Sequence, residues 1–290
     1  MNRELQRFVT VFRELEQKQY SCTSEELHQF EAIKHKLTFL PYTHSTNFIS
    51  QRSIAIASLY PQAGSSFIAS NVAVSQANKR VNTTLCELPT ITPYYYFALD
   101  CERRGLEQSN EIIIPLVRGD LKVKPVIPFS KLDPLSQNDI TSWYLRNHKE
   151  CSLLIIDISH QWRSGMSSWI CKWVDEIWLV VDTNFPRITS FVLTEEASLM
   201  WEEHRAKIRI IANRWSPFLS KMDACKKLEG TLSLWNERSV FPKIKWFMPM
   251  LDSEKNSISQ MKGKFLLECY PEEGEAFEEL GNSLALGGDL

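Results

Sequence analysis

Short apolar runs alternate with stretches of helical periodicity from residue 53 to about residue 183. Residues 54–57 are apolar and partly β-branched, as in a buried strand, and residues 69–79 and 135–149 repeat at helical spacing. Residues 112–128 predict a strand-and-loop excursion, and residues 189–204 predict a further helix. This alternation predicts an α/β fold, in which a doubly wound, mostly parallel sheet carries helices on both faces.

Residues 1–48 follow a different pattern, which predicts a helical hairpin appended to a main domain of residues 49–290. The first helix would present four apolar residues at helical spacing: Leu5, Phe8, Phe12 and Leu15. Residues 23–26 predict a capping box for the second helix, and Pro41 would close it. A hairpin of this size is too small to bury its own core, so it would dock on the main domain, a second copy or a partner protein.

Residues 53–71 have the form of a phosphate-binding loop placed between a buried strand and a helix. Such a loop reads G-x-x-x-x-G-K-[ST], with glycines curling the backbone around the phosphates. Gly64 stands at the last loop glycine and Ser66 at the hydroxyl that holds magnesium, whereas Ser65 occupies the lysine position and Gln62 replaces an upstream glycine. Taken alone, this segment is equally typical of an ordinary strand-to-helix turn.

The missing lysine has a calculable effect on phosphate binding. A lysine about 4 Å from a phosphate charge contributes roughly 4 kcal/mol at an effective dielectric constant near 20. Its loss weakens affinity by about three orders of magnitude if nothing compensates. Backbone N–H groups at a helix start still attract anions, so we expect weak nucleotide binding and little turnover.

The order of segments from Ser53 to Asp252 resembles the MinD/ParA superfamily of deviant Walker ATPases. Residues 60–66 resemble the S-x-x-P-x-x-G-K-[ST] loop of the bacterial tyrosine autokinases and of the CpaE-like branch that localises Tad/Flp pili. Residues 67–73 resemble the T-x-x-x-N-L-A run that follows this loop. Residues 81–88 resemble the second strand, which ends D-x-D in the family, and residues 93–99 resemble the helix after it.

Later segments resemble the strands that complete such a site. Residues 153–158 are similar to the Walker B strand, residues 175–182 to the next parallel strand, residues 208–214 to the strand ending in Asn-Arg, and residues 244–249 to the final strand with its base-flanking proline. The resemblance therefore implies seven nucleotide-binding residues: Gly64, Ser65, Ser66, Phe67, Asn213, Arg214 and Pro249. It implies three candidate magnesium ligands: Ser66, Asp157 and Glu87.

The departures from the family pattern lie on the phosphate side. Neither Tyr60 nor Ser65 is a lysine, and Pro89 stands where the family keeps a catalytic aspartate. The resemblance therefore implies no catalytic residue, with ATP or ADP and magnesium bound weakly or no longer bound. It implies a catalytically degenerate positioning or scaffold protein of an envelope-associated machine, with Tad/Flp pilus assembly as the specific hypothesis.

Two other functions remain open from the sequence. The chain could be an active ATPase whose cation comes from Lys79, Arg80, Arg214 or a second subunit. It could also be a DNA-partitioning protein, but its net charge of −2 gives no support for nucleic-acid binding. Family members form dimers that enclose nucleotide, so we expect a homodimer, and without the lysines it would form independently of ATP.

The composition of the chain limits where the protein can be located and which chemistry its side chains can carry out. The seven cysteines are scattered singly without metal-ligand spacing, which predicts reduced thiols and a cytoplasmic protein. No apolar run approaches the ~20 residues that span a bilayer, so membrane association would be peripheral and through partner proteins. The acidic end of the chain has the wrong sign for a lipid-binding helix, and only Tyr270 lies near it, which argues against autokinase activity. Residues 94–96, three tyrosines, are expected to pack a helix inside the domain.

Overall fold

The computed structural model describes residues 51–89, 92–108, 111–128, 136–195, 199–235 and 243–285. The predicted helical hairpin of residues 1–48 lies outside the described residues and stays a prediction.

Nine strands occur in the described part of the chain: β1 (Arg52–Ser58), β2 (Thr83–Glu87), β3 (Leu106–Gln108), β4 (Glu111–Leu116), β5 (Leu121–Lys124), β6 (Leu153–Ser159), β7 (Glu176–Val181), β8 (Ile208–Trp215) and β9 (Ile244–Pro249). The α-helices are α1 (Ser65–Asn78), α2 (Tyr95–Ala98), α3 (Cys101–Arg104), α4 (Gln137–Lys149), α5 (Gly165–Trp173), α6 (Phe185–Thr194), α7 (Leu199–His204), α8 (Lys221–Leu232), α9 (Ser253–Met261), α10 (Leu266–Cys269) and α11 (Glu278–Ala285). Short 3₁₀ turns cover Val117–Gly119, Ser233–Trp235 and Pro271–Phe277.

The strands form a single sheet in the order β3-β4-β5-β2-β6-β1-β7-β8-β9. From β5 to β9 every neighbouring pair is parallel, and the edge pairs β3–β4 and β4–β5 are antiparallel. The predicted doubly wound, mostly parallel sheet is thus confirmed. The excursion predicted for residues 112–128 is the antiparallel β4–β5 hairpin, which extends the sheet at this edge.

Alternate residues of the central strand β1 divide the core into two layers. Ile54 and Ile56 pack in the cluster that contains α1, and Ala55 and Ala57 pack in the cluster on the opposite face, which includes residues of α4, α5 and α6. All four side chains are inaccessible to solvent. A strand apolar on both sides is the expected consequence of burying both faces of a parallel sheet.

The helix predicted for residues 189–204 is instead two helices, α6 and α7. The first begins earlier than predicted because the Asn184 side chain accepts the N–H of Arg187, with Pro186 in the first turn. It ends where Glu195 becomes extended (φ −113°, ψ 138°). The indole N–H of Trp235 donates to the Glu195 carbonyl oxygen at 2.9 Å, which gives that carbonyl a partner outside the helix.

The segment after β9 returns across α1. The backbone N–H of Leu267 donates to Oδ1 of Asn71 at 3.1 Å, and the buried Phe277 packs on Phe67 with ring centroids 6.1 Å apart. The acidic residues of this segment are on the surface, where Lys255 forms ion pairs with Glu272 and Glu273. Within the described ranges, no helix is both long enough and apolar enough to cross a bilayer.

Candidate functional site

A pocket of about 700 Å³ opens at the carboxyl ends of the parallel strands, where ligands bind in sheets of this kind. All seven predicted nucleotide-binding residues line it: Gly64, Ser65, Ser66, Phe67, Asn213, Arg214 and Pro249. They come from the β1–α1 loop and the first turn of α1, from the end of β8 and from the end of β9, so chain segments about 150 and 185 residues apart meet in one cavity. The tertiary structure therefore brings these seven residues together.

Gly64 forms the turn from β1 into α1. It has a left-handed conformation (φ 106°, ψ 24°), which glycine adopts at little cost. A Cβ atom at this position would overlap with Nδ2 of Asn213, the group that donates to the Ala63 carbonyl oxygen at 2.9 Å. A glycine is thus required here both by the backbone angle and by the close approach of Asn213.

The first turn of α1 presents backbone N–H groups to this pocket. The N–H of Ser65 donates to Oγ of Ser58 at 3.2 Å, and no side chain caps the helix because its N-cap is Gly64. The N–H groups of Ser66 and Phe67 belong to the first helical turn, which has no intrahelical acceptors. Together with the helix dipole they make a binding site suited to an anion such as a phosphate.

Positive charge in the pocket is limited to one side chain. Of the residues that line it in the described chain, Arg214 is the only arginine or lysine; its side chain is 53% exposed, and Nη1 lies 3.9 Å from Oδ2 of Asp182. Lys79 and Arg80, the other candidate cations, bond to Asn282 and Asp120. They lie at the opposite end of α1, about 20 Å from the phosphate loop.

Tyr60 stands at the first position where the family carries a lysine, and its side chain is buried. Its hydroxyl donates to Oδ1 of Asp182, and the guanidinium of Arg187 lies 4.5 Å from its ring centroid. Burial, followed by the bond to Asp182, raises the pKa of the Tyr60 hydroxyl well above its ordinary value. The side chain is therefore neutral and does not replace the lysine.

Asp157 lies in β6, two residues before the end of the strand, and it is fully buried. The pairing of β1 with β6 is irregular here, because Ile56 pairs with Asp157 and Ala57 with Ser159. Ser159 is left-handed (φ 48°), and its N–H and hydroxyl lie 2.8 and 3.2 Å from Oδ1 of Asp157. The Tyr95 hydroxyl lies 3.0 Å from Oδ2.

The Ser66 hydroxyl lies next to this group, with its Oγ 3.4 Å from Oγ of Ser159. Burial raises the pKa of Asp157, and the neighbouring polar groups of Ser66, Ser159 and Tyr95 oppose that rise. Asp157 does not line the pocket, whereas Ser66 does.

Glu87 ends β2 beside Asp157 but is used by the backbone. Its Oε1 accepts the N–H groups of Tyr94 and Tyr95 at 2.6 and 2.8 Å, and Oε2 accepts the N–H of Val126 at 2.7 Å. Burial raises the pKa of Glu87 to about 7, against the effect of these three donors. The carboxylate thus holds the start of α2 and the end of the β5 segment, and it does not line the pocket.

Tyr95 and Ser159 are site residues that were not predicted individually. The sequence indicated only that residues 94–96 would pack a helix, and Tyr95 does so with a fully buried side chain. A buried tyrosine hydroxyl needs a partner, which is the signal that could have drawn attention to Tyr95. The partner itself, Asp157, lies 62 residues further along the chain.

Among three comparisons with known proteins, only the comparison with solved structures found similar proteins. No protein-family model matches the chain, and no curated protein sequence matches it significantly. Among solved structures, the MinD cell division protein of Aquifex aeolicus is similar at 14% identity, with a TM-score of 0.58 over 82% of this chain and 98% of that one.

Two further solved structures are similar to this chain over a comparable share of its length. The ParA family ATPase of Chlorobium tepidum has 14% identity and a TM-score of 0.56, covering 81% of this chain and 99% of that chain. The septum site-determining protein MinD of Pyrococcus horikoshii, solved with Mg-ADP, has 11% identity and a TM-score of 0.52, covering 81% of this chain and 96% of that one. The chain therefore has the P-loop fold of the ParA/MinD ATPases, as its sequence predicted.

Proposed function

We propose that the chain is a nucleotide-binding protein of MinD/ParA type that hydrolyses ATP slowly or not at all, and that it works by positioning or scaffolding other proteins. One observation carries the proposal: the seven predicted nucleotide-binding residues line one pocket, while the two positions for a lysine hold Ser65 and the buried Tyr60. This arrangement supports a nucleotide-binding surface that lacks the charge that stabilises a transferring phosphoryl group.

The machine that this protein serves is inferred from the loop resemblance alone. Residues 60–66 resemble the loop of the CpaE-like proteins, so we assign the chain to an envelope-associated machine, with Tad/Flp pilus assembly as the specific candidate. In this role it is cytoplasmic and reaches the inner face of the membrane through partner proteins. Neighbouring genes for a secretion ATPase and prepilins would support this assignment, and their absence from the neighbourhood would argue against it.

Restoring the missing charge tests the proposed nucleotide site directly. Isothermal titration with ATP or ADP should show weak binding to the unmodified chain, and Ser65→Lys should tighten it by up to about three orders of magnitude. Ser253→Lys is the matched control, because Ser253 lines the same pocket at the start of α9, away from the phosphate loop. Equal effects of the two substitutions on the affinity for ATP and ADP would contradict the proposal. So would a failure of both variants to bind these nucleotides.

An active ATPase is the second candidate, because Arg214 lines the pocket. In that case steady-state phosphate release would stand well above background and would be abolished by Asp157→Ala and by Arg214→Ala. Arg187→Ala serves as the control, because Arg187 packs on Tyr60 and does not line the pocket. Under our first proposal, phosphate release stays at background in all four proteins.

A further inference from the structure

Both carboxylate oxygens of Asp157 have hydrogen-bond partners within the protein. Oδ1 receives the N–H and the hydroxyl of Ser159, and Oδ2 lies 3.0 Å from the Tyr95 hydroxyl. The side chain is fully buried and does not line the pocket, so neither oxygen faces that space.

A magnesium ion requires a different arrangement of groups. It takes oxygen ligands in near-ideal octahedral geometry at 2.0–2.1 Å and usually keeps several waters, so it needs acceptors that face an open, hydrated space. Glu87, the other acidic candidate, already accepts three backbone N–H groups and is 2% exposed.

Tyr95 is held in position independently of any ligand. Its ring is fully buried and packs edge-on against Phe265, with centroids 5.7 Å apart, and its N–H is bound by Glu87. The hydroxyl lies 3.1 Å from the Ser66 carbonyl oxygen and 3.0 Å from Oδ2 of Asp157, and these two acceptors share its single proton. The hydroxyl thus lies between the first turn of α1 and β6, beside the carboxylate that the family resemblance implies as a magnesium ligand.

We propose that the Tyr95 hydroxyl takes the place of the divalent cation at Asp157, so that the pocket binds its nucleotide as the free anion and not as a magnesium complex. This inference rests on the proposed nucleotide site, and it specifies the form of the ligand. The Tyr95 hydroxyl and the contact between the Ser66 and Ser159 hydroxyls connect the loop to β6, and the phosphates are bound by the N–H groups of α1 and by Arg214.

The test compares two tyrosine variants. Tyr95→Phe keeps the buried ring and removes the hydroxyl. Tyr96→Phe is the matched control, because Tyr96 is the next residue of α2 and does not line the pocket. Binding of Mn²⁺ to the nucleotide-free proteins is measured by electron paramagnetic resonance. ADP affinity is then measured in magnesium and in EDTA.

For the unmodified chain and for Tyr96→Phe, we expect no Mn²⁺ binding and ADP affinities that agree within about twofold in the two buffers. Tyr95→Phe should bind Mn²⁺, lose it on the additional change Asp157→Asn, and bind ADP at least about tenfold more tightly with magnesium than with EDTA. Native-like circular dichroism of Tyr95→Phe verifies that the fold is kept.

Two results would overturn the inference and leave the proposed function standing: an unmodified chain whose ADP binding requires magnesium, or a Tyr95→Phe protein that binds no Mn²⁺. A failure of every protein to bind ADP would instead refute the proposed nucleotide site. The Mn²⁺ measurement then still decides the role of Tyr95, because it uses no nucleotide.

Discussion

Gly64 and Asn213 meet at the point where the phosphate loop touches the end of β8. The family resemblance implies that Asn213 binds nucleotide, and in the structure its amide donates to the Ala63 carbonyl oxygen. The residue thus fixes the loop as well as lining the pocket. A change at Gly64 would disturb both partners, because its missing side chain is what lets Asn213 approach.

We expect Gly64→Ala to lower the free energy of unfolding by about 2–3 kcal/mol, because a left-handed alanine costs roughly 1–2 kcal/mol and the Asn213 hydrogen bond contributes about 1 kcal/mol. Nucleotide binding should be lost as well. Gly230→Ala is the control: Gly230 lies within α8 with open space around it, so alanine should stabilise the protein by up to about 1 kcal/mol. Urea denaturation measures both changes, and equal stabilities would contradict the strained turn.

Glu87 is expected to make stability depend on pH. Burial raises its pKa from 4.5 to about 7 in the folded protein. The folded state therefore holds this proton more tightly than the unfolded chain, and the resulting stability is complete below the unfolded pKa and lost as the pH rises through about 7. From pH 5 to pH 8 the free energy of unfolding should fall by roughly 2–3 kcal/mol from this group.

Glu87→Gln does not titrate, so its urea-unfolding profile should lack this fall, although the variant is less stable overall because an amide N–H₂ would face a backbone N–H. His204 has a lowered pKa because it is partly buried, and its effect has the opposite sign, with stability lost as the pH falls. Both proteins contain His204, so its effect cancels in the comparison. If the unfolding free energies of the two proteins changed with pH in the same way, the assignment of this pH dependence to Glu87 would be contradicted.

At the scale of elements, α1 is held between the sheet and the returning C-terminal segment. Its inner face packs on β1, and its outer side receives Leu267 and Phe277. Phe277 contacts Phe67, which lines the pocket in the first turn of α1. The segment of residues 266–285 thus supports the candidate site as well as covering the core.

Phe277→Ala should cost about 3–5 kcal/mol of unfolding free energy, because it removes a fully buried aromatic ring and leaves a cavity behind α1. It should also weaken nucleotide binding through Phe67. Phe218→Ala is the control, because Phe218 is 96% exposed and its change should stay within about 0.5 kcal/mol. Thermal or urea unfolding measures both, and a small loss for Phe277→Ala would show that the segment is not part of the core.

At the scale of the whole molecule, we expect a homodimer that forms without nucleotide. In the resembling family, lysines couple dimerisation to ATP, whereas Ser65 and the neutral Tyr60 stand at those positions here. Light scattering after gel filtration should therefore give the same dimer mass with and without ATP. Dimerisation only with ATP would contradict this prediction, and a monomer under both conditions would contradict the homodimer itself.

The sequence alone determined the succession of strands and helices and the composition of the phosphate loop. Residues 54–57 and 153–158 lie within observed strands, and the strand predicted at residues 244–249 is observed with the same limits. These strands could be predicted because burial on both faces of a sheet requires a continuous run of apolar residues, which the local sequence shows. The sequence alone also showed that serine stands at position 65, where the family carries a lysine. Helix limits were less predictable, since α6 and α7 are separated by contacts from the distant Trp235.

Only the tertiary structure decided what surrounds Asp157. Its donors come from α2 and from the bulge at the end of β6, and these elements meet because β6 lies next to β2 in the sheet. A residue type fixes how many hydrogen bonds a side chain can make, but strand order fixes which groups are near enough to make them. The sequence thus determined the acidic candidate, whereas the fold decided that its oxygens bind protein hydroxyls and N–H groups.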